Sequence, residues 1–359
     1  MNVRVAIIGT GGIAGKHAEV LQQEVDDAQI VAAVDVRDET VRAFAERFNI
    51  PATYTKAATM LAQEKPDIVH ICTPPHLHAE QSIQALEAGS WVLCEKPLAA
   101  SLKELDAIAA TETHTGRYCS SVYQWRFGNG AQHLKGLIDA NSIGKPILGI
   151  CQTTWYRDDA YYAVPWRGTW KSELGGCSMG HGIHAMDLFL WLYGPWQEVN
   201  AKIGTLNHDI EVEDVSLALV NFENGAMGTM INSVVSPRQE SYIRMDFQEA
   251  TVELKHLYAY KNNQWSYSSY DGNPHAEALK LWQAIPDEKR SIFGNQVRHH
   301  IDCFKSGDRP LTSGYGARMT LEFLASMYKS AMTGQSVKRG SIQQGDPFYD
   351  AMNGSSTQA

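Results

Sequence analysis

The sequence predicts an α/β N-terminal domain, a doubly wound parallel sheet of the Rossmann type, followed by an α+β domain with a large open, mostly antiparallel sheet. Two observations predict this fold class. Over the first third of the chain, short β-branched segments alternate with helical ones, which favours parallel strands joined by right-handed crossovers. From about residue 149, strand-like segments follow one another with short turns between them, which favours antiparallel pairing.

The element boundaries follow from hydrophobic periodicity and helix caps. In the first domain we predict strands at Val3–Ile8, 30–35, 67–72 and 90–94, and helices at 15–23, 38–48 and 78–88. Ser101 begins a further helix, because Ser101-Leu-Lys-Glu104 is a capping box. In the second domain we predict strands at 150–155, 198–203, 215–222, 226–235 and 242–254, and helices at 179–193, 288–306 and 315–333.

The length supports two domains and a short tail. A chain of 359 residues holds about two domains at a typical size of roughly 150 residues each. We place the Rossmann domain at 1–124, the α+β domain at 125–335 and a loosely held tail at 336–359.

The composition excludes several classes of protein. With 31 basic and 40 acidic side chains the net charge is −9, which argues against a sequence-independent grip on nucleic acid or on an anionic membrane. No apolar run reaches the ~18 residues of a membrane span, and Val3–Ile8 is too short for the apolar region of a signal peptide. The six cysteines show no CxxC pattern, so we expect reduced packing thiols in a cytoplasmic protein.

A glycine-rich turn follows the first predicted strand. Gly9-x-Gly11-x-x-Ala14 matches the G-x-G-x-x-G/A fingerprint of dinucleotide binding, and Asp35 ends the next strand at the expected distance. Asp35 would accept hydrogen bonds from the ribose hydroxyls and repel a 2′-phosphate, which favours NAD, although Arg37 could accommodate NADP. The alternative, a strand-to-helix turn of some other α/β domain, is less favoured because the strand, the helix and Asp35 all stand where the fingerprint requires.

A lysine follows the fourth predicted strand, in Cys94-Glu-Lys-Pro97. The carboxyl edge of an open α/β sheet is where its ligand binds, so Lys96 could point its ammonium at the nicotinamide and at a substrate hydroxyl. The alternative for a lone lysine is an ordinary surface side chain in a loop.

Taken together, these segments resemble the Gfo/Idh/MocA oxidoreductases, the family of glucose–fructose oxidoreductase and inositol dehydrogenase. The resemblance runs from Val3 to about residue 330. It rests on the glycine turn with His17 after it and on the motifs Cys72-Thr-Pro-Pro-His-Leu-His78, Glu95-Lys-Pro97, Gln124-Trp-Arg-Phe127, Gly175-Gly176 and His184-Ala-Met-Asp187.

The resemblance implies hydride transfer between NAD(H) or NADP(H) and a hydroxyl or carbonyl carbon of a sugar or polyol. It also implies that Lys96 faces the substrate and the nicotinamide, that His184 is the catalytic histidine, and that Trp170-Lys171 lies beside the nicotinamide. With the turn and its acidic partner, the predicted cofactor-binding set is Gly9, Thr10, Gly11, Gly12, Ile13, Asp35, Arg37, Thr73, Pro74, His78, Glu95, Lys96, Trp170 and Lys171.

The chain departs from the family pattern at one position. Many members carry an aspartate four residues before the catalytic histidine, where this chain has Gly180. We hypothesise that His181, on nearly the same helix face as His184, partly replaces that carboxylate as a polar contact to the substrate. The alternative is a histidine at the surface or behind the site. Asp187, on the following turn, would orient His184 or pack behind it.

The predicted chemistry follows from matched pKa values. A histidine with a pKa near 6.5 can accept a hydroxyl proton at neutral pH, which suits His184. Lys96, a nearby cation, would stabilise the developing alkoxide. No metal is predicted, because the histidine pairs His76/His78 and His181/His184 come without HExxH, a Cys/His cluster or an evident third ligand.

The segment 155–170 is rich in tryptophan and tyrosine and contains Arg157 and Arg167. Aromatic faces with guanidinium groups suit a polyhydroxylated ring, while a lid or an oligomer interface is the alternative. The predicted substrate contacts are Lys96, Trp166, Arg167, His181 and His184. A homodimer or homotetramer is expected, because the family's second-domain sheet often forms oligomer contacts.

Two rival functions stay open at this point. Some relatives use bound NAD to cleave or eliminate at a glycosidic bond, and a few bind NAD(P) as non-catalytic sensors. The sensors commonly lack the lysine of Glu-Lys-Pro, which this chain keeps as Lys96.

Overall fold

The computed structural model describes residues 2–355, which form two compact units. The first unit comprises the chain up to Val122 together with Phe293–Leu321. The second unit comprises Tyr123–Ile292 and the chain from Glu322 onward. Each unit is built on its own sheet.

The strands of the described residues are, in chain order, β1 (Val3–Ile8), β2 (Ala28–Val34), β3 (Ala52–Tyr54), β4 (Ile68–Ile71), β5 (Trp91–Cys94), β6 (Cys119–Ser121), β7 (Pro146–Tyr156), β8 (Trp196–Gly204), β9 (Val215–Phe222), β10 (Met227–Ser233), β11 (Val235–Phe247), β12 (Thr251–His256), β13 (Trp265–Ser268) and β14 (Val337–Lys338). The α-helices are α1 (Gly12–Gln23), α2 (Asp38–Phe48), α3 (Ala57–Glu64), α4 (His78–Glu87), α5 (Leu102–Thr115), α6 (Asn129–Asp139), α7 (Asp159–Tyr162), α8 (Ile183–Tyr193), α9 (Ala276–Gln283), α10 (Phe293–Ser306), α11 (Tyr315–Thr333) and α12 (Pro347–Asp350). None of the helices within residues 2–355 combines the length and hydropathy needed to cross a membrane.

The first unit contains the predicted parallel sheet. Its strands have the order β3-β2-β1-β4-β5-β6, and every neighbouring pair is parallel. β1 is buried along almost its whole length, as a β-branched strand covered by helices on both faces should be. The strand order reverses between β1 and β4, so the turns after these strands lie at the edge where such sheets bind their ligands.

The second unit contains the predicted open sheet, in the order β13-β12-β11-β7-β10-β9-β8-β14. All neighbouring pairs are antiparallel except β10 with β7. One face packs against α8, a helix buried on almost all sides. The other face leaves apolar side chains exposed, among them Leu148, Leu217, Leu219 and Met227. Both parts of the fold class are therefore confirmed.

The division of the chain differs from the predicted domains in one respect. The boundary predicted at 124 lies close to Val122, but the first unit also takes in Phe293–Leu321. The physical reason is the apolar face of α10. Val297 and Ile301 on that face belong to the same hydrophobic core as the residues of β1 and α1.

The tail predicted at 336–359 is packed over its described part, so the expectation of a loose tail is corrected. β14 pairs antiparallel with β8 and adds a strand to the sheet. Ile342, Phe348 and Met352 are buried, which anchors the segment by apolar contact. Residues 356–359 lie outside the described residues.

Three further predicted elements differ in detail. The strand predicted at 242–254 is two strands, because the chain reverses after Phe247, whose N–H donates to the Ala250 carbonyl. The helix predicted at 288–306 begins only at Phe293. The helix predicted at 179–193 begins as a π-helical turn, Ser178–Gly182, and continues as α8.

All six cysteines are free and buried, which confirms the prediction of reduced packing thiols. Burial raises the pKa of the Cys72, Cys94 and Cys177 thiols well above the usual value. These thiols are therefore neutral and pack as small apolar side chains.

Candidate active site

The predicted dinucleotide turn lies between β1 and α1. Gly9 has φ +87°, and a Cβ there would lie 2.8 Å from backbone atoms of Cys72 and Thr73. Only glycine fits this position, since the turn after β1 approaches the turn after β4 this closely. Gly11 and Gly12 are different, because a Cβ on either would meet no heavy atom within 4 Å.

The start of α1 fits the pyrophosphate of a dinucleotide. No side chain caps its N-terminal N–H groups, and its first turn contains no acidic residue. An uncapped helix N-terminus offers N–H donors and a partial positive charge to an anion. Thr10 is buried beneath the turn and Ile13 is exposed on it, with open space over the glycines between them. The residues present therefore suit the predicted cofactor.

Asp35 follows β2, and its carboxylate is tied to the same turn. Oδ2 accepts hydrogen bonds from the backbone N–H (3.1 Å) and hydroxyl (2.9 Å) of Thr10, and Oδ1 accepts one from the Arg37 N–H (3.0 Å). Burial alone would raise the pKa of Asp35, but these donors and the Arg37 charge hold it below its usual value. The ionised carboxylate suits ribose hydroxyls and opposes a 2′-phosphate.

Lys96 follows β5, and its neighbour Glu95 is held by a string of buried histidines. The Glu95 carboxylate accepts a hydrogen bond from the Lys96 backbone N–H (3.2 Å) and lies 3.0 Å from Nε2 of His17. Nδ1 of His17 lies 3.0 Å from Nδ1 of His70, whose pKa is held well below its usual value by burial and by neighbouring histidines. The Glu95 carboxylate accepts from Nε2 of His17, and a second hydrogen bond joins His17 to His70. This string fixes the turn from which Lys96 extends.

The segment after β4 contains Thr73, Pro74 and His78. Thr73 is half-buried and Pro74 is exposed, whereas His78 is buried at the start of α4. Nδ1 of His78 lies 2.6 Å from the Pro97 carbonyl oxygen and Nε2 lies 2.8 Å from the Thr73 carbonyl oxygen. Burial lowers the pKa of His78 even though both carbonyls favour its protonated form. His78 therefore connects the turns after β4 and β5 from within the unit.

In the second unit, His184 lies in the first turn of the buried helix α8. Its ring stacks on Trp125 with the ring centroids 5.8 Å apart and meets the edge of Tyr258 at 5.9 Å. The Tyr258 hydroxyl accepts a hydrogen bond (2.7 Å) from Nε2 of Gln124, the residue that immediately precedes Trp125. Two aromatic rings tied to each other thus define the orientation of the imidazole.

Asp187, one turn after His184, forms a buried ion pair with Arg126. Nε of Arg126 donates to Oδ2 at 2.8 Å and Nη2 donates to Oδ1 at 2.5 Å, with both side chains almost fully buried. The hypothesis that Asp187 orients His184 or packs behind it is thereby refined. Its charge is compensated by Arg126, and the pair fixes the helix on which His184 lies.

A buried carboxylate holds the glycine turn that leads into this helix. Glu213 accepts hydrogen bonds from the N–H groups of Gly176 (2.9 Å) and Ser178 (3.0 Å) and from the Tyr328 hydroxyl (3.0 Å). A Cβ at Gly176 would lie 1.8 Å from the Glu213 carbonyl oxygen, so the two segments meet backbone to backbone. Burial raises the pKa of Glu213 above its usual value, although these donors oppose the shift.

His181 lies on the π-helical turn, against Arg157. Nε of Arg157 donates a hydrogen bond to Nε2 of His181 at 3.0 Å. The rings of Trp155 and Tyr161 lie on either side, each with its centroid 5.5 Å from that of the imidazole. The sequence left open whether His181 lies at the surface, behind the site or in contact with the substrate. The structure excludes the surface position, because the side chain is buried.

The predicted substrate contacts Trp166 and Arg167 lie together in the loop before α8. The Arg167 guanidinium lies 4.3 Å above the Trp166 ring and 3.8 Å above the Tyr161 ring. Nη1 of Arg167 lies 3.1 Å from Oε1 of Glu173, which is buried. A Cβ at Gly180 would lie 3.6 Å from that same oxygen. A carboxylate from another segment therefore faces the position where the family aspartate is missing.

Trp170 and Lys171 lie in the same loop. The indole Nε1 of Trp170 donates to the Glu211 carbonyl oxygen at 3.1 Å, and its ring meets the edge of Tyr328 at 5.1 Å. Lys171 is exposed. Because Tyr328 also donates to Glu213, it connects the Trp170 loop with the glycine turn before α8.

Sequence reasoning missed Arg126 as a partner of Asp187, and it missed Glu173 and Glu213 altogether. Glu213 lies 37 residues from the glycine it holds, and Arg126 lies 61 residues from its partner. No local spacing rule reaches that far. The available signal was weak: Glu213 lies two residues before a predicted strand, where a buried charge needs a partner.

Comparison with known families agrees with both units. Residues 3–123 match the family model "Oxidoreductase family, NAD-binding Rossmann fold". Residues 131–253 match the "GFO/IDH/MocA C-terminal domain". The first match covers the N-terminal segment of the first unit, and the second covers most of the open sheet.

Individual proteins are similar over nearly the whole chain. D-apiose dehydrogenase of Paraburkholderia graminis is 27% identical, with 95% of this chain and 91% of that protein covered. D-glucoside 3-dehydrogenase of Escherichia coli is 27% identical, with 94% and 97% covered. The crystal structure of the WlbA dehydrogenase from Bordetella pertussis, in complex with NADH and UDP-GlcNAcA, has a TM-score of 0.83 at 26% identity, covering 94% of this chain and 97% of that one.

One family therefore matches the chain on both sides of its domain boundary. The matched chain contains the glycine turn with Asp35, the turn with Lys96 and the helix α8 with His184. This chain belongs to the Gfo/Idh/MocA family of NAD-binding oxidoreductases.

Proposed function

We propose that this chain is an NAD(P)-dependent dehydrogenase that transfers a hydride between nicotinamide and a hydroxyl or carbonyl carbon of a sugar, polyol or sugar derivative, with Lys96 and His184 handling the proton. One observation carries the proposal. The chain keeps Lys96 on a braced turn after β5 and His184 in the buried helix α8, and it belongs to a family whose similar members are named as sugar dehydrogenases.

The proposed chemistry assigns one task to each side chain. NAD, when bound, supplies the hydride acceptor. The His184 imidazole accepts the proton of the substrate hydroxyl, because a histidine held by two aromatic rings keeps a fixed direction toward it. The Lys96 ammonium stabilises the negative charge that develops on the same oxygen. In the reducing direction His184 returns the proton, and Lys96 again stabilises the charge on the oxygen.

The substrate class follows from the relatives and from the loop before α8. The similar proteins are named for apiose, for glucosides and, in Thermotoga maritima, for myo-inositol. The loop supplies aromatic faces at Tyr161 and Trp166 with guanidinium groups beside them, which suits a ring bearing several hydroxyls. We therefore propose a cyclic sugar, polyol or glycoside as substrate.

The test is a panel of sugars, inositols, glycosides and uronates with NAD and NADP, followed by absorbance at 340 nm. On the best substrate, Lys96→Ala and His184→Ala are each expected to lower kcat by at least ~10²-fold, the lower figure for loss of a proton-transfer group. NAD should still bind to both variants, as measured by calorimetry. The exposed side chains Lys56 and His275 provide matched controls, whose alanine variants should keep full turnover.

Three results would count against the proposal. Full turnover in both alanine variants would remove Lys96 and His184 from the chemistry. Cleavage of glycosides without net NADH would instead identify an enzyme that uses NAD transiently. Tight NAD binding with no turnover on any member of the panel would favour a sensor.

We also propose that the exposed face of the second unit's sheet pairs with a second copy of the chain. Leu217 and Leu219 on β9 and Met227 on β10 form an apolar patch on that face, flanked by Leu148. Contiguous exposed apolar surface of this kind marks an interaction site. Sedimentation is expected to show a dimer or tetramer, and Leu219→Glu should shift it toward monomer. A monomeric wild-type chain at micromolar concentration would refute this.

A further inference from the structure

The hydrogen bond between Arg157 and His181 determines which nitrogen of His181 carries a proton. An arginine guanidinium can only donate, so Nε2 of His181 accepts with its lone pair. An imidazole whose Nε2 accepts is neutral, with its single proton on Nδ1. Arg157 is itself well fixed: its Nη1 donates to the Tyr156 carbonyl oxygen at 2.7 Å, and its guanidinium lies 5.2 Å from the Trp155 ring and 5.3 Å from the Tyr161 ring.

The charges around His181 support the neutral form. Arg157 makes no ion pair with any carboxylate of residues 2–355, so its full positive charge acts on the imidazole. Arg167, on Tyr161, is compensated by Glu173, the carboxylate that also faces Gly180. Burial raises the pKa of Tyr161, which keeps that phenol neutral. The other titratable side chains of the helical segment that carries His181 are His184, Tyr193 and Asp187, and Asp187 is paired with Arg126.

We propose that Arg157 is a positioning residue that holds His181 as a neutral hydrogen-bond donor through Nδ1, so that His181 selects an acceptor oxygen of the substrate and takes no part in removing its proton. The substrate contact rests on the proposed function, whereas the tautomer does not. His184 then acts as base without competition from the histidine three residues before it.

His181 was expected to replace the family aspartate that is missing at Gly180. A hydrogen-bond donor cannot do so, because the aspartate is an acceptor. A carboxylate accepts hydrogen bonds and favours a substrate hydroxyl as donor, whereas Nδ1–H of His181 donates and favours a carbonyl, ether or hydroxyl oxygen as acceptor. His181 therefore does not restore the carboxylate missing at Gly180. The buried carboxylate that faces this position belongs to Glu173.

The tautomer can be read directly in the protein without cofactor or substrate. Long-range 1H–15N correlation spectra of the 15N-labelled chain, with the His181 signals identified by their loss in His181→Asn, should show a protonated Nδ1 and a bare Nε2. His181 should stay neutral to a lower pH in the wild-type chain than in Arg157→Met, which lacks the guanidinium at Nε2. Arg238→Met, which removes an exposed arginine of β11, should leave the His181 signals unchanged.

The polarity can be tested with two variants of nearly equal shape. The amide Nδ2 of His181→Asn can stand where Nδ1 stands and still donate, while His181→Asp offers only acceptors. On the substrate found for the wild-type chain, His181→Asn should keep kcat/KM within about tenfold, and His181→Asp should lose at least another tenfold.

The outcomes separate this inference from the proposed function. A protonated Nε2 in the wild-type spectrum, or a wild-type His181 that titrates as in Arg157→Met, overturns the assigned tautomer whatever the enzyme does. His181→Asp more active than His181→Asn overturns the donor role. If no substrate is turned over at all, the proposed function fails, yet the spectra still decide whether Arg157 holds His181. Should Arg157→Met fail to fold, the wild-type spectrum and the asparagine–aspartate pair decide the matter.

Discussion

In the first unit, the residues that face the predicted cofactor extend from turns at the ends of β1, β2 and β5, and backbone geometry holds most of them in place. In the second unit, the two histidines lie on a helical segment that is held by buried charged side chains from distant parts of the chain. The first arrangement depends on glycines at fixed places, whereas the second depends on charge pairs that lose their value when one partner is removed.

Because of this difference, we expect mutations in the two units to have different effects. A buried carboxylate that loses its partner leaves an uncompensated charge in an apolar setting, so changes near α8 should affect stability and activity together. Changes on the open side of the glycine turn or at Asp35 should affect cofactor binding and leave the fold intact. The predictions below test this difference, beginning with the largest expected effect.

Asp187→Ala should destabilise the chain strongly. The change leaves the buried Arg126 guanidinium without its carboxylate, and breaking a buried pair in this way costs about 3–5 kcal/mol. The matched control is Asp38→Ala, which breaks the exposed pair with Arg42 on the first unit and should cost about 1 kcal/mol or less. Urea unfolding followed by circular dichroism measures both. Equal losses in the two variants would contradict the contrast between the units.

His256→Phe should reduce the acid sensitivity of the chain. Burial lowers the pKa of His256 to about 4, despite a hydrogen bond with the backbone of Tyr258. Between pH 6.5 and 4 the unfolded chain therefore binds a proton that the folded chain does not, and the free energy of unfolding falls as the pH falls through this window. The slope from one such group is at most about 1.4 kcal/mol per pH unit.

Unfolding measured at a series of pH values should show a shallower decline in His256→Phe than in the wild-type chain. Exposed His275 provides the control, whose phenylalanine variant should keep the wild-type slope. The first unit has the same weakness, because burial lowers the pKa of His300 to about 3. An unchanged slope in His256→Phe would show that His256 is charged in the folded chain or that acid unfolding begins elsewhere.

Asp35→Ser should change the choice of cofactor with little effect on folding. The variant removes the carboxylate that suits the ribose hydroxyls and opposes a 2′-phosphate, so we expect NAD to bind roughly tenfold more weakly, about 1.4 kcal/mol, and NADP to bind more tightly than before. Calorimetry with each nucleotide measures this. Adding Arg37→Ala should abolish the gain for NADP. If NADP already binds the wild-type chain as well as NAD, the assigned preference is wrong.

Most of the first unit could be predicted from sequence because its signals are local. Gly9, Gly11, Asp35 and Lys96 each stand within a few residues of the strand end that places them, so a motif and a strand pattern locate them together. The sequence did not predict that α10 packs on the core of the first unit. The amphipathic pattern of a helix does not show which of two cores the helix covers.

The second unit was predicted in outline and missed in detail. The succession of strand-like segments with short turns predicted the open sheet. Hydrophobicity did not show which face is covered, because Ser216 and Ala218 on β9 are buried while Leu217 and Leu219 are exposed. The partners of α8 were not predicted, because a buried ion pair such as Arg126 with Asp187 depends on tertiary packing and leaves no spacing rule behind. The contact of His181 with Arg157 and the approach of Glu173 to Gly180 likewise arise only in the folded chain.

The burial of all six cysteines has a practical consequence for solution work. Thiols that are neutral and shielded react slowly with maleimides and other alkylating reagents. A single cysteine introduced at an exposed position away from the open sheet face, for example Lys56→Cys, would therefore be the preferred attachment point for a fluorophore or spin label. Distances between labels on neighbouring copies could then be measured without first replacing any native cysteine.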